Sequence, residues 1–176
     1  MSVNLGELIH ALERYDLSGD VNRIAAGVEY NSQQVNQGSV FVAIPGFQVD
    51  GFEFAEDAVK RGACCVVSER DNVRKLPVTW VKTDNCRKAL SDLAAKFYNY
   101  PGKALKVCGI TGTNGKTTSA LMLKHALEGR AKKVGLISSL RYDTGEDVFE
   151  AERTTPESLD IQRLLFLMRA NYCNNV

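Results

Sequence analysis

The sequence lacks the features that place a protein in or across a membrane. No apolar run approaches the roughly 18 residues that a membrane-crossing helix needs. Residues 1–7 hold neither a basic segment nor an apolar core, so we expect no signal peptide. Lysine and arginine number 22 against 21 acidic residues. So balanced a charge favours neither nucleic acid nor a membrane surface as a partner.

The sequence also lacks any histidine or cysteine spacing that resembles a metal site. His10 and His125 each lie in a helical pattern, and we interpret them as packing or surface residues. The cysteines are odd in number, and three of them lie in apolar, strand-like runs. They are Cys64, Cys65, Cys86, Cys108 and Cys173. Buried free thiols in a reducing cytosol are the simplest account, so we expect a cytoplasmic protein.

What the sequence does contain is a glycine-rich turn between a strand-like run and a helix-like run. Residues 109–118 read Gly-Ile-Thr-Gly-Thr-Asn-Gly-Lys-Thr-Thr. The turn is preceded by the apolar run 105–110 and followed by the helical run 119–128. A strand, a glycine turn and Gly-Lys-Thr at the start of a helix together favour a phosphate-binding loop.

Each residue type in this turn has a physical use in binding phosphate. Gly112 and Gly115 let the backbone curl so that N–H groups face phosphate oxygens. The helix start adds roughly half a positive charge. Lys116 can reach the terminal phosphates, and the Thr117 hydroxyl can bind Mg²⁺. The strict pattern G-x-x-x-x-G-K-S/T is not met, because Ile110 stands where its first glycine is required. A glycine-rich turn without a ligand is therefore the alternative.

Strand-like and helix-like patterns alternate along the chain and predict an α/β fold with parallel strands. The predicted strands are residues 28–30, 39–44, 64–67, 78–81, 105–110 and 133–137, with an extended segment at 148–153. The predicted helices are residues 4–14, 54–61, 85–98, 119–128 and a last one that runs to about residue 170, with Pro156 in its first turn. A break at 99–103 separates two predicted domains, 1–100 and 104–176.

The second predicted domain has too few strands for a whole P-loop sheet. Only two or three are visible, and the chain stops at residues 174–176, where another strand should start. We therefore expect a truncated, catalytically incomplete form of a longer protein. We also expect residues 1–98 to fold alone. Residues 104–176 are expected to be loosely ordered or to self-associate, because an incomplete sheet exposes an edge and apolar surface.

Residues 111–118 resemble the ATP loop of the Mur ligases, the cytoplasmic enzymes that build the stem peptide of peptidoglycan. Residues 30–35, 38–43 and 46–51 resemble, in order and spacing, the N-terminal domain of that family, which holds the UDP part of the substrate. The segment 153–157, Arg-Thr-Thr-Pro-Glu, is similar to the MurE branch, whereas the MurF branch usually has an asparagine-rich stretch there. The resemblance covers nearly the whole chain.

The resemblance implies an ATP-dependent amide ligase of peptidoglycan precursor synthesis. A MurE-type enzyme adds diaminopimelate or lysine to UDP-N-acetylmuramoyl-L-alanyl-D-glutamate through an acyl phosphate. The implied cofactors are ATP and Mg²⁺, the implied partner is the UDP-muramoyl-dipeptide, and the full-length enzyme is expected to be a monomer. The acidic Mg²⁺ ligand, the carbamylated lysine and the C-terminal domain of the family would lie beyond residue 176.

The same resemblance gives each candidate site residue a role. Lys116 is the candidate catalytic residue, and Thr117 is the candidate metal ligand. The candidate ATP-binding residues are Gly112, Thr113, Asn114, Gly115, Lys116, Thr117 and Thr118. The candidate substrate-binding residues are Ser32, Phe47, Gln48, Val49, Thr154 and Thr155. Residues 31–33, Asn-Ser-Gln, depart from the Asp-Ser-Arg that is common in the family.

Structural explanations compete at several of these positions. Thr154 and Thr155 could cap the helix that contains Pro156, because threonine is a good N-cap. Ser32 could be only a turn hydroxyl, and Phe47 could pack on its own domain. At the level of function, the alternatives are a non-catalytic module that binds the UDP-muramoyl-peptide and a MurF-type ligase.

Overall fold

The structure is a computed structural model that describes residues 1–46, 49–129, 132–151, 153 and 155–176. The chain divides into two compact units, Met1–Phe97 and Tyr98–Val176. Within the described ranges, no helix combines the length and the apolar character that crossing a membrane requires.

The first unit alternates short strands with helices. Its strands are β1 (Val3–Asn4), β2 (Asp16–Ser18), β3 (Ile24–Ala25), β4 (Gly27–Glu29), β5 (Ser39–Val42), β6 (Cys65–Ser68) and β7 (Thr79–Lys82). Its helices are α1 (Leu5–Ile9), α2 (Ala55–Lys60) and α3 (Cys86–Phe97), with 3₁₀ turns at Ser32–Gln34 and Gly51–Phe54. Strands β1 and β3 form a small antiparallel pair, and the others form a five-stranded sheet in the order β2-β7-β6-β5-β4.

The five-stranded sheet confirms the predicted α/β fold with parallel strands. Strands β4 to β7 are parallel to one another, and β2 is the antiparallel edge. Every residue of β5 and β6 is buried, as parallel strands covered on both faces should be. Phe41, Val66 and Trp80 pack in one cluster with Ala55 and Ala58 of α2. Helix α3 packs against β4, β5 and β6.

The predicted helix over residues 4–14 is wrong in length, because α1 ends at Ile9. After that point the N–H groups of Ala11 and Leu12 bond to the carbonyls of Leu8 and Ile9, three residues back. Such bonds form a tighter turn than an α-helix. Leu12 is still buried, so the apolar spacing continues past the end of the helix.

The second unit holds two longer helices and a small sheet. Its elements are α4 (Lys116–Glu128), β8 (Leu136–Ile137), β9 (Arg141–Asp143), β10 (Val148–Glu150) and α5 (Ser158–Ala170), with a 3₁₀ turn at Pro101–Ala104. The three strands pair antiparallel in the order β10-β9-β8. Leu164, Leu165 and Met168 of α5 form a core cluster with Leu105 and Tyr142.

Among the residues of the second unit that the structure describes, parallel pairing involves only the end of the chain. Asn175 forms parallel bridges to Lys106 on one side and to Val134 on the other, and the Cys108 N–H bonds to the Val176 carbonyl. The segment 174–176 thus lies between the two predicted strands, where a further strand was expected to start. The strand predicted over 105–110 is wrong in extent, because no described residue pairs with the backbone beyond Cys108.

Candidate functional site

The glycine-rich turn adopts backbone angles that glycine makes accessible. Gly112 has φ +148° and Gly115, the residue before α4, has φ +77°. A Cβ atom at Gly115 would meet no atom within 4 Å, so crowding is not what requires glycine there. The backbone angle is the requirement, because side chains with a Cβ are strained at positive φ. This agrees with the curl predicted for the turn.

The backbone N–H groups of residues 112–118 are available to a ligand. Among the described residues, none of these seven groups has a protein acceptor, and the first N–H of α4 that is bonded belongs to Ser119, which donates to the Gly115 carbonyl. Gly112 to Lys116 are exposed. Unpaired N–H donors at the positive end of a 13-residue helix favour an anion.

The Lys116 side chain folds back over this turn. Its Nζ donates to the Gly112 carbonyl at 2.6 Å and to the Thr113 carbonyl at 3.3 Å. A lysine ammonium has three donors. Lys116 therefore adds a positive charge, with a remaining donor, to the row of free backbone N–H groups.

A cavity of about 430 Å³ adjoins the start of α4 within the second unit. It brings together three candidate site residues, Lys116, Thr117 and Thr155. Ser139 also lines it, and its Oγ lies 2.9 Å from Thr117 Oγ1. The other candidate ATP-binding residues lie outside this lining, in the turn and in the first turn of α4, and are Gly112, Thr113, Asn114, Gly115 and Thr118.

Thr155 does not cap helix α5. The N-cap of α5 is Glu157, and the helix begins at Ser158. The capping interpretation of Thr155 is therefore wrong, and so is the placement of Pro156 in the first helical turn. Pro156 is buried just before the helix, and Thr155 is exposed at the cavity. The other candidate of this pair, Thr154, lies outside the described residues.

The candidate substrate residues of the first unit have different surroundings. Ser32 is buried in its 3₁₀ turn, and a hydrogen bond from its hydroxyl is the main cause that lowers the pKa of the Asp57 carboxyl. This contact favours a structural role at Ser32. Val49 is exposed. Phe47 and Gln48 lie outside the described residues.

The reasoning from sequence missed two residues that line the cavity. Ser139 is one, and its signal was a pair of small polar residues directly after β8. Lys124 is the other. It is the buried residue of α4, and its Nζ contacts Glu128 Oε1 at 2.6 Å and Asp143 Oδ2 at 3.2 Å. It also donates to the Val134 carbonyl. A lysine on an otherwise ordinary helix gave no signal of burial.

Two family models match the chain, one for each unit. Residues 25–98 match the model described as "Mur ligase family, catalytic domain". Residues 110–176 match the model described as "Mur ligase middle domain". The two matched ranges include the regions in which the sequence resembles the family.

Curated relatives carry the same family resemblance at moderate identity. UDP-N-acetylmuramoyl-L-alanyl-D-glutamate--2,6-diaminopimelate ligase of Alkaliphilus metalliredigens is 36% identical over 162 residues, which are 92% of this chain and 33% of the relative. The enzyme of the same name from Caldanaerobacter subterraneus is 41% identical over 155 residues, 88% of this chain and 32% of the relative. The chain thus spans about a third of the length of these relatives.

A solved structure shares the fold. It is a structure of UDP-N-acetylmuramoyl-L-alanyl-D-glutamate--2,6-diaminopimelate ligase, which matches with a TM-score of 0.77 at 20% identity. The match covers 99% of this chain and 35% of that chain.

Proposed function

This chain belongs to the Mur ligase family, and we propose that it is the nucleotide-binding and UDP-substrate-binding part of a MurE-type ligase. The reaction of the whole enzyme is ATP-dependent addition of an amino acid to UDP-N-acetylmuramoyl-L-alanyl-D-glutamate. Diaminopimelate is the favoured amino acid, because both relatives carry it in their names. Residues 1–97 would serve the UDP part of the substrate, and residues 98–176 the nucleotide.

The observation that carries the proposal is the meeting of Lys116, Thr117 and Thr155 at one cavity. Amide formation by phosphoryl transfer needs charge neutralisation on the phosphates and alignment of the attacking carboxylate. Lys116 and the free N–H groups of the turn supply the first. Thr155 is exposed at the same cavity and does not cap a helix, which supports a role in hydrogen-bonding the muramoyl-peptide.

The residues present fit ATP and Mg²⁺. The turn offers a row of unpaired N–H donors and an ammonium, which match a polyphosphate. Thr117 offers an oxygen ligand of the kind that Mg²⁺ prefers. Over the described residues there is no cluster of three or more His, Cys, Asp or Glu side chains. Mg²⁺ commonly uses few protein ligands together with phosphate oxygens, so Thr117 would hold it beside the nucleotide and the ion would neutralise phosphate charge.

Calorimetric titration tests the proposal. The chain is titrated with Mg-ATP, with UDP and with UDP-N-acetylmuramoyl-L-alanyl-D-glutamate. We expect all three to bind, and the muramoyl-dipeptide to bind more tightly than UDP. The Lys116→Ala variant should lose about tenfold or more in Mg-ATP affinity, since it removes a charge-assisted contact. Lys106→Ala is the matched control, because Lys106 is an exposed lysine of the same unit.

Each of the other binding results would support or contradict a different part of the proposed function. Binding of UDP without ATP would support the alternative of a non-catalytic binding module. Equal affinity for UDP and the muramoyl-dipeptide would contradict the role of Thr155. Binding of none of the three ligands would overturn the proposed function.

A further inference from the structure

Ser139 presents a hydroxyl to the first turn of α4. Its neighbour Ser138 is buried and shapes the turn after β8, because Ser138 Oγ donates to the Arg141 carbonyl at 2.9 Å and accepts from the Arg141 N–H at 3.2 Å. Ser139 has no such task. Its side chain is exposed, and its contact with Thr117 Oγ1 is its one side-chain hydrogen bond to any residue that the structure describes.

The Thr117 hydroxyl needs an acceptor if it is to bind a cation. A hydroxyl has one proton and two acceptor lone pairs. When a lone pair faces a metal ion, the proton must point elsewhere. A threonine in a helix often donates it to the carbonyl four residues back. For Thr117 that carbonyl belongs to Thr113, and it already accepts from Lys116 Nζ at 3.3 Å.

We propose that Ser139 is a positioning residue for nucleotide-bound Mg²⁺. The Ser139 oxygen accepts a hydrogen bond from the Thr117 hydroxyl, and this bond turns a Thr117 lone pair toward the ion. The Ser139 oxygen at 2.9 Å is within ordinary O–H···O distance. Its own proton remains free for a phosphate oxygen or a water molecule on the metal. The inference rests on the proposed function, because it concerns the same nucleotide site.

The test compares nucleotide binding with and without the metal. ATP is titrated into the chain in excess Mg²⁺ and again in excess EDTA, and the ratio of the two dissociation constants gives the gain from Mg²⁺. We expect Ser139→Ala to lower this gain about three- to tenfold, the worth of one hydrogen bond, while affinity in EDTA stays within about twofold. Ser139→Thr keeps the hydroxyl and should keep the gain.

Ser119→Ala is the matched control. Ser119 is an exposed serine in the first turn of α4, and its hydroxyl has no hydrogen bond to any residue that the structure describes. Its removal should leave the gain from Mg²⁺ unchanged. Because both serines are exposed, thermal unfolding followed by circular dichroism should coincide for all the variants and the unmodified chain.

The other outcomes separate this inference from the function on which it rests. If the unmodified chain gains from Mg²⁺ and Ser139→Ala gains equally, the role of Ser139 is overturned and the nucleotide site stands. Equal losses of ATP affinity in Mg²⁺ and in EDTA would show that the contact is only structural, and would also overturn the role of Ser139. A Ser139→Thr variant that behaves like Ser139→Ala would overturn it as well. ATP affinity that is the same with and without Mg²⁺ would overturn the inference and the Mg²⁺ role proposed for Thr117, and would leave ATP binding at the turn. No ATP binding by the unmodified chain overturns both.

Discussion

Helices α3 and α4 have nearly the same length, 12 and 13 residues, and opposite relations to their surroundings. Helix α3 buries a whole face, formed by Cys86, Ala89, Leu90, Leu93, Ala94 and Phe97. Helix α4 buries Lys124 alone among its described residues. Its Met122 is 68% exposed and its Leu123 is 37% exposed. Packing therefore holds α3, whereas a glycine turn and polar contacts hold α4.

The strands next to each helix explain the contrast. Helix α3 lies on β4, β5 and β6, whose parallel pairing gives a continuous apolar surface. Next to α4, β8 has two residues, and the parallel pairing found among the described residues of this unit consists of the bridges of Asn175. Local sequence is enough to shape the glycine-rich turn before α4. The burial of the helix behind it depends on partners elsewhere in the sheet.

The largest expected effect is the loss of a leucine from α3. Leu93→Ala should lower the free energy of unfolding of the first unit by about 2–5 kcal/mol, because Leu93 is fully buried and its removal leaves a cavity. Urea unfolding followed by the fluorescence of Trp80, the single tryptophan, reports on that unit. Leu123→Ala in α4 is the matched control, with a loss below about 1 kcal/mol by circular dichroism. Similar losses of stability in Leu93→Ala and Leu123→Ala would contradict the difference in packing between α3 and α4.

The next effect concerns the polar anchor of α4. Lys124→Ala should destabilise the second unit by about 2–3 kcal/mol, because it takes the ammonium away from the largely buried Asp143 carboxylate and leaves the Val134 carbonyl without its side-chain donor. The far-UV circular dichroism transition should shift, and the Trp80 transition of the first unit should not. Lys132→Ala, which removes an exposed lysine of the same unit, should change neither. An unshifted transition in Lys124→Ala would show that the lysine does not anchor the helix.

These two helices also show what sequence reasoning can reach. The parallel strands around α3 were predictable because continuous apolar runs mark strands buried on both faces. The turn before α4 was predictable because its glycines act locally. The burial of Lys124 was not, since its partners Val134 and Asp143 are distant in sequence and come close only in the folded unit. The extent of the strand predicted over 105–110 was wrong for a related reason, because an apolar run forms a strand only where another segment pairs with it.

A smaller effect separates the cysteines of the two units. Cys86 of α3 is buried, and burial raises the pKa of its thiol to about 12, while Cys108 before the glycine turn is exposed. Iodoacetamide at pH 8 should therefore modify Cys108 first, and peptide mass spectrometry identifies the site. Modification of Cys86 at an equal rate would contradict the burial.

The same thiol gives a pH dependence of stability. The unfolded chain releases the proton of Cys86 near the ordinary pKa of 9.0, whereas the folded unit keeps it to about 12. The unfolded state thus binds fewer protons across that range, and the free energy of unfolding should fall as the pH rises from 9 toward 12. Cys86→Ala removes this contribution. The free energy of unfolding of the variant should therefore fall less steeply between pH 9 and 12 than that of the unmodified chain.

The smallest effect distinguishes the candidate substrate hydroxyls of the two units, Ser32 and Thr155. The Ser32 hydroxyl is the main cause of the lowered pKa of the Asp57 carboxyl, so Ser32→Ala should raise that pKa toward its ordinary value of 3.8, as carboxyl NMR titration measures. A lowered carboxyl pKa stabilises the fold above its ordinary value and loses that effect as the pH falls through the folded pKa. Ser32→Ala should therefore weaken the dependence of stability on acid. Thr155→Ala, which alters an exposed hydroxyl in the other unit, should leave the Asp57 titration unchanged. An unchanged Asp57 titration in Ser32→Ala would show that the Ser32 hydroxyl does not act on Asp57 and remains available to a substrate. Ser32 and Thr155 would then no longer differ in this respect.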